Sequence, residues 1–297
     1  MAAAASGFLS RRSAFALLLP AHSLLAAAIV VPAIYIIWLS LTASSFGRAP
    51  SFVGLANYVQ VLTDPYFQRA LLNTIIVVLV VVHVELIAGL GMALLFASGL
   101  PARRWLLAAV LAPYAVSEVS AVAMWRFLFD PDMGPVTLAL QALGLPGLDW
   151  SVSPLAGLAL VALLSIWLNL PFTFIILYAA RLSIPKELYE AARVDGTTGF
   201  QSFLHVTLPL LRPAILIAML FRYIFAFRLF AEVWLLTQGG PARTTEVVGV
   251  YLYLEAFRFN SFGVAAATGW IMVAVSLLLA SVYIWRLRRG MVADALA

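Results

Sequence analysis

RLSIPKELYEAARVDGTTGFQSFLHVTLPLLRP, residues 181–213, is a polar interruption between two long apolar runs. Pro185 falls in the first turn of a helix continued by Lys186-Glu187-Leu188-Tyr189-Glu190-Ala191-Ala192. That turn tolerates proline, because the N–H it lacks would have no intrahelical partner there. Gly196 supplies the stop, since glycine adopts the left-handed conformation at little cost. Thr198 and Gln201, three apart, form a capping box for a second helix. Phe200, Phe203, Leu204 and Leu208 line one face of it, and Pro209 is expected to end it. The predicted product is a helix–turn–helix elbow over 181–209. Such an elbow either docks a partner or packs beneath its own spans, and periodicity alone leaves both open.

Outward from the elbow the chain is apolar. Six segments, 14–41, 70–98, 105–129, 154–180, 210–236 and 263–285, each supply the roughly 20 apolar residues needed to cross a ~30 Å hydrocarbon core. The 297 residues are 64% hydrophobic and only 10% charged, against about 25% charged in soluble domains. No water-soluble fold could hide so much apolar surface, which excludes a soluble enzyme. Disorder needs the opposite composition. Long apolar runs, instead of short alternating ones, select helices over a β-barrel. With no cysteine, disulfides, thiolate chemistry and Cys-ligated metals are off the menu. The predicted fold is all-α and integral to a membrane: one domain over 1–297, with six transmembrane helices and a polar elbow.

Basic residues set the expected orientation. With the N-terminus inside, the inner segments hold Arg11, Arg12, Arg103, Arg104, Arg181, Lys186, Arg193, Arg212, Arg286, Arg288 and Arg289. The outer segments hold only Arg48, Arg69, Arg243 and Arg258. Both termini and the elbow are therefore expected in the cytoplasm. The net charge of +5 is a topology signal and calls for no nucleic-acid partner. Ser10-Arg11-Arg12 has a twin-arginine look. The apolar run behind it is longer than a cleavable leader's and contains Pro20, Pro32, Tyr35 and Trp38, so it reads as a retained first span.

Three outer loops carry information. In 42–69, Phe52, Leu55, Tyr58, Val59 and Leu62 are spaced like one face of a helix, either an interfacial helix or a lid on the bundle. Loop 130–153 is rich in turn signals, Asp130-Pro131-Asp132, Gly134-Pro135 and Pro146-Gly147. Loop 237–262 opens on the helix stop Gly239-Gly240-Pro241.

The stretch EAARVDGTTGFQSFLHVTLPLLRP, Glu190 to Pro213, resembles the EAA signature of bacterial ABC-transporter permease subunits. Gly196 follows Glu190-Ala191-Ala192 after a spacer of three residues, Arg193, Val194 and Asp195, and after nine more residues Val206 replaces the usual Ile before Leu208-Pro209. GLANYVQVLTDPYFQRALLNT at 54–74 and FRLFAEVWLLTQGGP at 227–241 resemble the carbohydrate branch related to the maltose permease subunit, with Glu232 where Asp is usual. The likeness runs over roughly 14–289. It implies the type I ABC importer permease fold, with Glu190, Ala191, Ala192, Asp195 and Gly196 on a coupling helix seated in a cytoplasmic ATPase subunit. It also implies a second permease, two ATPases, an extracytoplasmic solute-binding protein, and a sugar or glycoside as cargo. ATP and Mg would be bound by the ATPase and no cofactor by this chain. The location would be a bacterial inner membrane.

The residues agree that any motor lies elsewhere. A phosphate-cradling loop needs Gly-x4-Gly-Lys-Ser/Thr, and the only lysine, Lys186, follows a proline and precedes a glutamate. Ionisable residues inside spans are functional candidates: His83, Glu85, Glu118, Arg126, Arg222, Arg228 and Glu232. Arg228 and Glu232, four apart, are expected to pair on one helix face. Pro171, beside Trp167 and Asn169, is expected to break the fourth span at a cavity. Glu118, Asn169, Arg222, Tyr223, Arg228, Glu232 and Trp234 are the candidate substrate pathway: acids, an amide and arginines for hydroxyl groups, and aromatic rings for sugar faces. Interhelical ion pairs and snorkelling explain the same charges without a solute. His22, His83 and His205 are isolated, so neither a metal site nor a membrane-embedded enzyme is expected. A secondary transporter, or an importer of another polar solute, is the remaining alternative; no internal repeat supports the former.

Overall fold

A computed structural model describes residues 11–145 and 149–296; of the side chains at 11–16, 283–284 and 286–296 nothing is said. Ser10 and the Pro146-Gly147 turn lie outside the described residues, as do the side chains of Arg11, Arg12, Arg286, Arg288 and Arg289. The described helices are α1 Arg11–Ser40, α2 Ala56–Thr63, α3 Pro65–Ala97, α4 Arg103–Leu111, α5 Glu118–Leu128, α6 Pro135–Ala142 and α7 Pro154–Leu182. They continue with α8 Lys186–Val194, α9 Gly199–Ser202, α10 Leu208–Ala226, α11 Ala231–Leu236, α12 Val248–Tyr253 and α13 Phe262–Leu296. Two short strands, β1 Thr42–Ala43 and β2 Ser51–Phe52, pair antiparallel. Among the described residues five helices are long and apolar enough to cross a membrane, and a sixth crossing results if the bent pair α4 and α5 counts as one.

Two of the long helices, α3 and α7, start where the sequence supplies caps. Asp64 accepts the Tyr66 N–H at 2.9 Å with Pro65 at the first position of α3, and Ser153 does the same for α7 with Pro154 following. The centre of the bundle is α3 against α7, which approach closely at Gly89. A β-carbon there would meet the Thr173 methyl at 3.1 Å and the Phe174 backbone N at 3.3 Å, the small-residue contact that lets membrane helices touch. Around it Val77, Val81, Ala121, Val122, Leu160, Leu164 and Val233 are buried. By contrast α1 leaves most of its apolar side chains uncovered.

Four expectations need correction. The third span is not continuous over 105–129. A 3-10 turn at Ala112–Ala115 and extended residues follow α4, and α5 leaves at 101° to it. Pro113 removes a backbone donor, and Ser117 starts the new helix by accepting the Ser120 N–H at 3.2 Å. The fifth span breaks likewise: α10 stops at Ala226 and α11 begins at Ala231, so Arg228 and Glu232 are not on one helix face and form no ion pair among the described residues. Pro171 does not break α7, which runs unbroken through it; the neighbouring packing absorbs one lost hydrogen bond. Finally, Pro209 does not end the second elbow helix. A π-helical turn, Phe203–Thr207, carries α9 into α10, placing Pro209 in the first turn of α10, where proline is tolerated. The widened turn accommodates the crowding proline would impose on the preceding carbonyls.

Candidate functional site

The two breaks meet. Glu118 sits in the first turn of α5 and Glu232 in the first turn of α11, where the helix dipole favours a carboxylate. Both face a cavity of about 230 Å3 that is also lined by Ser165, Asn169, Arg222 and Arg228. Five of the seven candidate pathway residues, 118, 169, 222, 228 and 232, thus surround one space. Within it Asn169 donates to the Ser165 carbonyl at 2.9 Å, which fixes the amide. Glu232 is buried, and its Oε2 has no hydrogen-bond partner. Arg228 is exposed to the cavity. Glu118 and Asn169 also border a smaller hollow of about 150 Å3 beside Tyr114.

Tyr223 and Trp234 do not line this cavity. Tyr223 is buried with its hydroxyl 3.5 Å from His83 Nδ1. Trp234 belongs to an aromatic cluster, with Tyr253 4.7 Å and Phe230 6.2 Å away between ring centroids. Arg222 is engaged by a residue 137 positions earlier. Its Nε and Nη2 donate to both oxygens of Glu85, the latter at 2.8 Å, and the two side chains are 4% and 0% exposed. This pair ties α10 to α3 and neutralises Arg222 inside the bundle. Arg126 reaches the Leu235 carbonyl at 3.4 Å.

The elbow has the local chemistry its sequence encodes. Thr198 and Gln201 form the reciprocal capping box, at 2.8 and 3.3 Å. Gly196 has φ +74°, and beyond it the Thr197 N–H closes α8 on the Ala192 carbonyl at 3.0 Å. Ala192 is buried; Glu190, Ala191, Asp195 and Gly196 are exposed. Val194 is 87% and Phe200 70% exposed, an apolar display beside the charged residues of the elbow.

Segments 42–69 and 237–262 are tied to the start of α3 by a polar and aromatic network around Arg243. Arg243 pairs with Glu246 and lies over the rings of Tyr66 at 4.1 Å, Tyr251 at 5.7 Å and Phe259 at 5.9 Å. Asn73 donates to the Thr244 and Glu246 carbonyls at 2.9 and 2.8 Å, and Tyr251 donates to Asp64 at 2.8 Å. Glu246 holds the Arg243 guanidinium charged, raising its pKa above the ordinary value. Burial pushes the Tyr251 phenol and the Glu255 carboxyl up, Tyr251 further through its bond to Asp64.

This layout can be matched to known proteins. Residues 85–291 match the family model of the binding-protein-dependent transport system inner membrane component. The chain belongs to that family. As an ABC importer permease it is a transport subunit and not an enzyme. It is 34% identical over 279 residues to the sulfoquinovosyl glycerol transport system permease protein of Agrobacterium fabrum, covering 92% of this chain and 90% of that protein. It is 31% identical to the trehalose/maltose transport system permease protein of Thermococcus litoralis, over 91% and 92%. Identity to the trehalose transport system permease protein of Mycobacterium tuberculosis is also 31%, over 92% and 88%. The fold of this permease resembles a chain in the crystal structure of a bacterial ABC transporter importing the acidic polysaccharide alginate. There the TM-score is 0.80 at 24% identity, over 93% of this chain and 95% of that one.

Proposed function

We propose that this permease forms half of the translocation pathway of an importer for a sugar or glycoside, delivered by an extracytoplasmic solute-binding protein. The observation that carries the reading is the cavity at the two helix breaks, where two carboxylates, an amide and an exposed arginine converge. Such a set offers donors and acceptors to hydroxyl groups. Discontinuous helices are where membrane transporters place polar cargo. The sugar permeases among the relatives support the class of cargo.

The coupling elbow, carried by Glu190, Ala191, Ala192, Asp195 and Gly196, would sit in a separate ATPase subunit that binds ATP and Mg. A second permease completes the pathway, two ATPases drive it, and both termini lie in the cytoplasm. Glu118, Asn169, Arg228 and Glu232 would contact the solute, with Arg222 held at the cavity wall by Glu85. Uptake by the reconstituted transporter tests the cargo. A sugar or glycoside presented with its binding protein should be accumulated, and Asn169→Leu should depress that uptake while the complex still assembles. Accumulation of an amino acid or peptide, with sugars inert, would overturn the reading.

A further inference from the structure

Two adjoining cavities, of about 400 and 360 Å3, separate α8 from the ends of α3 and α7. Ala97, Arg181, Tyr189 and Arg193 line both, and Lys186 and Glu190 line the smaller. Three cations therefore face one carboxylate. The Arg181 guanidinium lies 4.3 Å from the centroid of the Tyr189 ring, whose hydroxyl is 2.9 Å from Thr207 Oγ1. Arg181 Nε is buried without a hydrogen-bond partner, and Arg181, Lys186 and Arg193 form no ion pair among the described residues. A charged N–H shut away from water without an acceptor is costly, so the site is short of an anion.

Its position says where the anion comes from. Arg181 is in the last turn of α7, and Ala97 is the last residue of α3. The cavity therefore lies where these spans leave the hydrocarbon. Leu94, Leu182 and Phe203 give its walls an apolar side. We infer that this cavity binds a phosphate group, and that the phosphate is the headgroup of an anionic phospholipid in the cytoplasmic leaflet. Guanidinium groups match a multi-oxygen anion, and basic pockets at the cytoplasmic ends of spans are where anionic headgroups lodge. One wall is the coupling helix itself, so the bound headgroup braces α8 against the bundle. The inference rests on the proposed cytoplasmic position of the elbow.

The test is native mass spectrometry of the intact transporter in phosphatidylcholine nanodiscs titrated with phosphatidylglycerol. The unaltered protein should retain phosphatidylglycerol at this site. Arg181→Gln with Arg193→Gln should lower retention roughly 25-fold, two basic residues each contributing about fivefold near an anionic headgroup. Arg181→Lys, which keeps the charge, should retain most of it and guards against a folding defect. Equal retention by the unaltered protein and the double variant overturns the inference. So does displacement of the lipid by millimolar inorganic phosphate, which would make free phosphate the ligand, or exclusion of the lipid whenever the ATPase is bound. Because the chain has no cysteine, Asp195→Cys can be probed with an impermeant maleimide. Labelling from the outer face would refute the cytoplasmic elbow and leave the cavity chemistry standing.

Discussion

The buried Glu85–Arg222 pair makes the sharpest stability prediction. Both side chains are almost wholly removed from solvent, and two N–H groups of one guanidinium reach both oxygens of one carboxylate. Replacing either partner leaves the other charge uncompensated inside the bundle. Breaking such a pair costs about 3–5 kcal/mol, and a lone charge at the middle of a spanning helix costs about 2.5–3.5 kcal/mol. The two routes agree on about 3 kcal/mol for Glu85→Leu and for Arg222→Met taken singly. Joint replacement removes both charges together. A buried pair exchanged for apolar groups is often neutral, so the double variant should fall within about 1 kcal/mol of the parent. The expected coupling energy is thus about 5 kcal/mol, measured as a double-mutant cycle by denaturant unfolding in mild detergent. Uptake is followed in parallel, because Arg222 also borders the cavity; the double variant should fold well and still transport poorly. Single variants each costing under about 1 kcal/mol, or a double variant as unstable as the singles summed, would refute the reasoning.

Other sites make independent predictions. Glu190→Lys should leave the ATPase active while uptake falls, read as moles transported per ATP; a normal ratio would remove Glu190 from the coupling surface. At Gly249 a β-carbon would stand 2.6 Å from the Leu229 carbonyl, so Gly249→Ala should force the break between α10 and α11 apart at a cost of about 1–3 kcal/mol, visible as a lowered Tm. Burial raises the Glu255 carboxyl above its ordinary 4.5. The folded chain then holds this proton more tightly than the unfolded one, and the stability so gained is present below the unfolded value and lost as pH rises through the folded value. Glu255→Gln should therefore be close to neutral near pH ~4 and stabilising near pH ~8, measured as the difference in Tm at the two pH values.

Local signals in the sequence were legible where a few neighbouring residues decide the outcome. Gly196 and the Thr198–Gln201 box place the elbow because each acts within one turn. The breaks in the third and fifth spans were hidden because apolar runs look alike whether or not the helix continues. In hindsight Pro113 followed by Ser117-Glu118 carries the signal, a lost donor and then an N-cap with an acid in its first turn. The acids and arginines inside the spans were visible, but not their partners. Spacing suggested Arg228 with Glu232, whereas the pair formed is Arg222 with Glu85, 137 residues apart, because packing of α3 against α10 decides it. Arg243 counted only as an outer basic residue, and its ring cage comes from three separate segments. Contacts of that kind leave no local pattern.

The roles proposed for the cavity and the elbow make one claim together: that this permease moves solute only when a separate ATPase acts through α8. Proteoliposomes holding the whole transporter, with binding protein and solute on one face and ATP supplied to the elbow face, test it directly. The predicted result is solute accumulation that needs ATP on the elbow face and is indifferent to ion gradients. Accumulation that persists without ATP and follows an imposed ion gradient would contradict it.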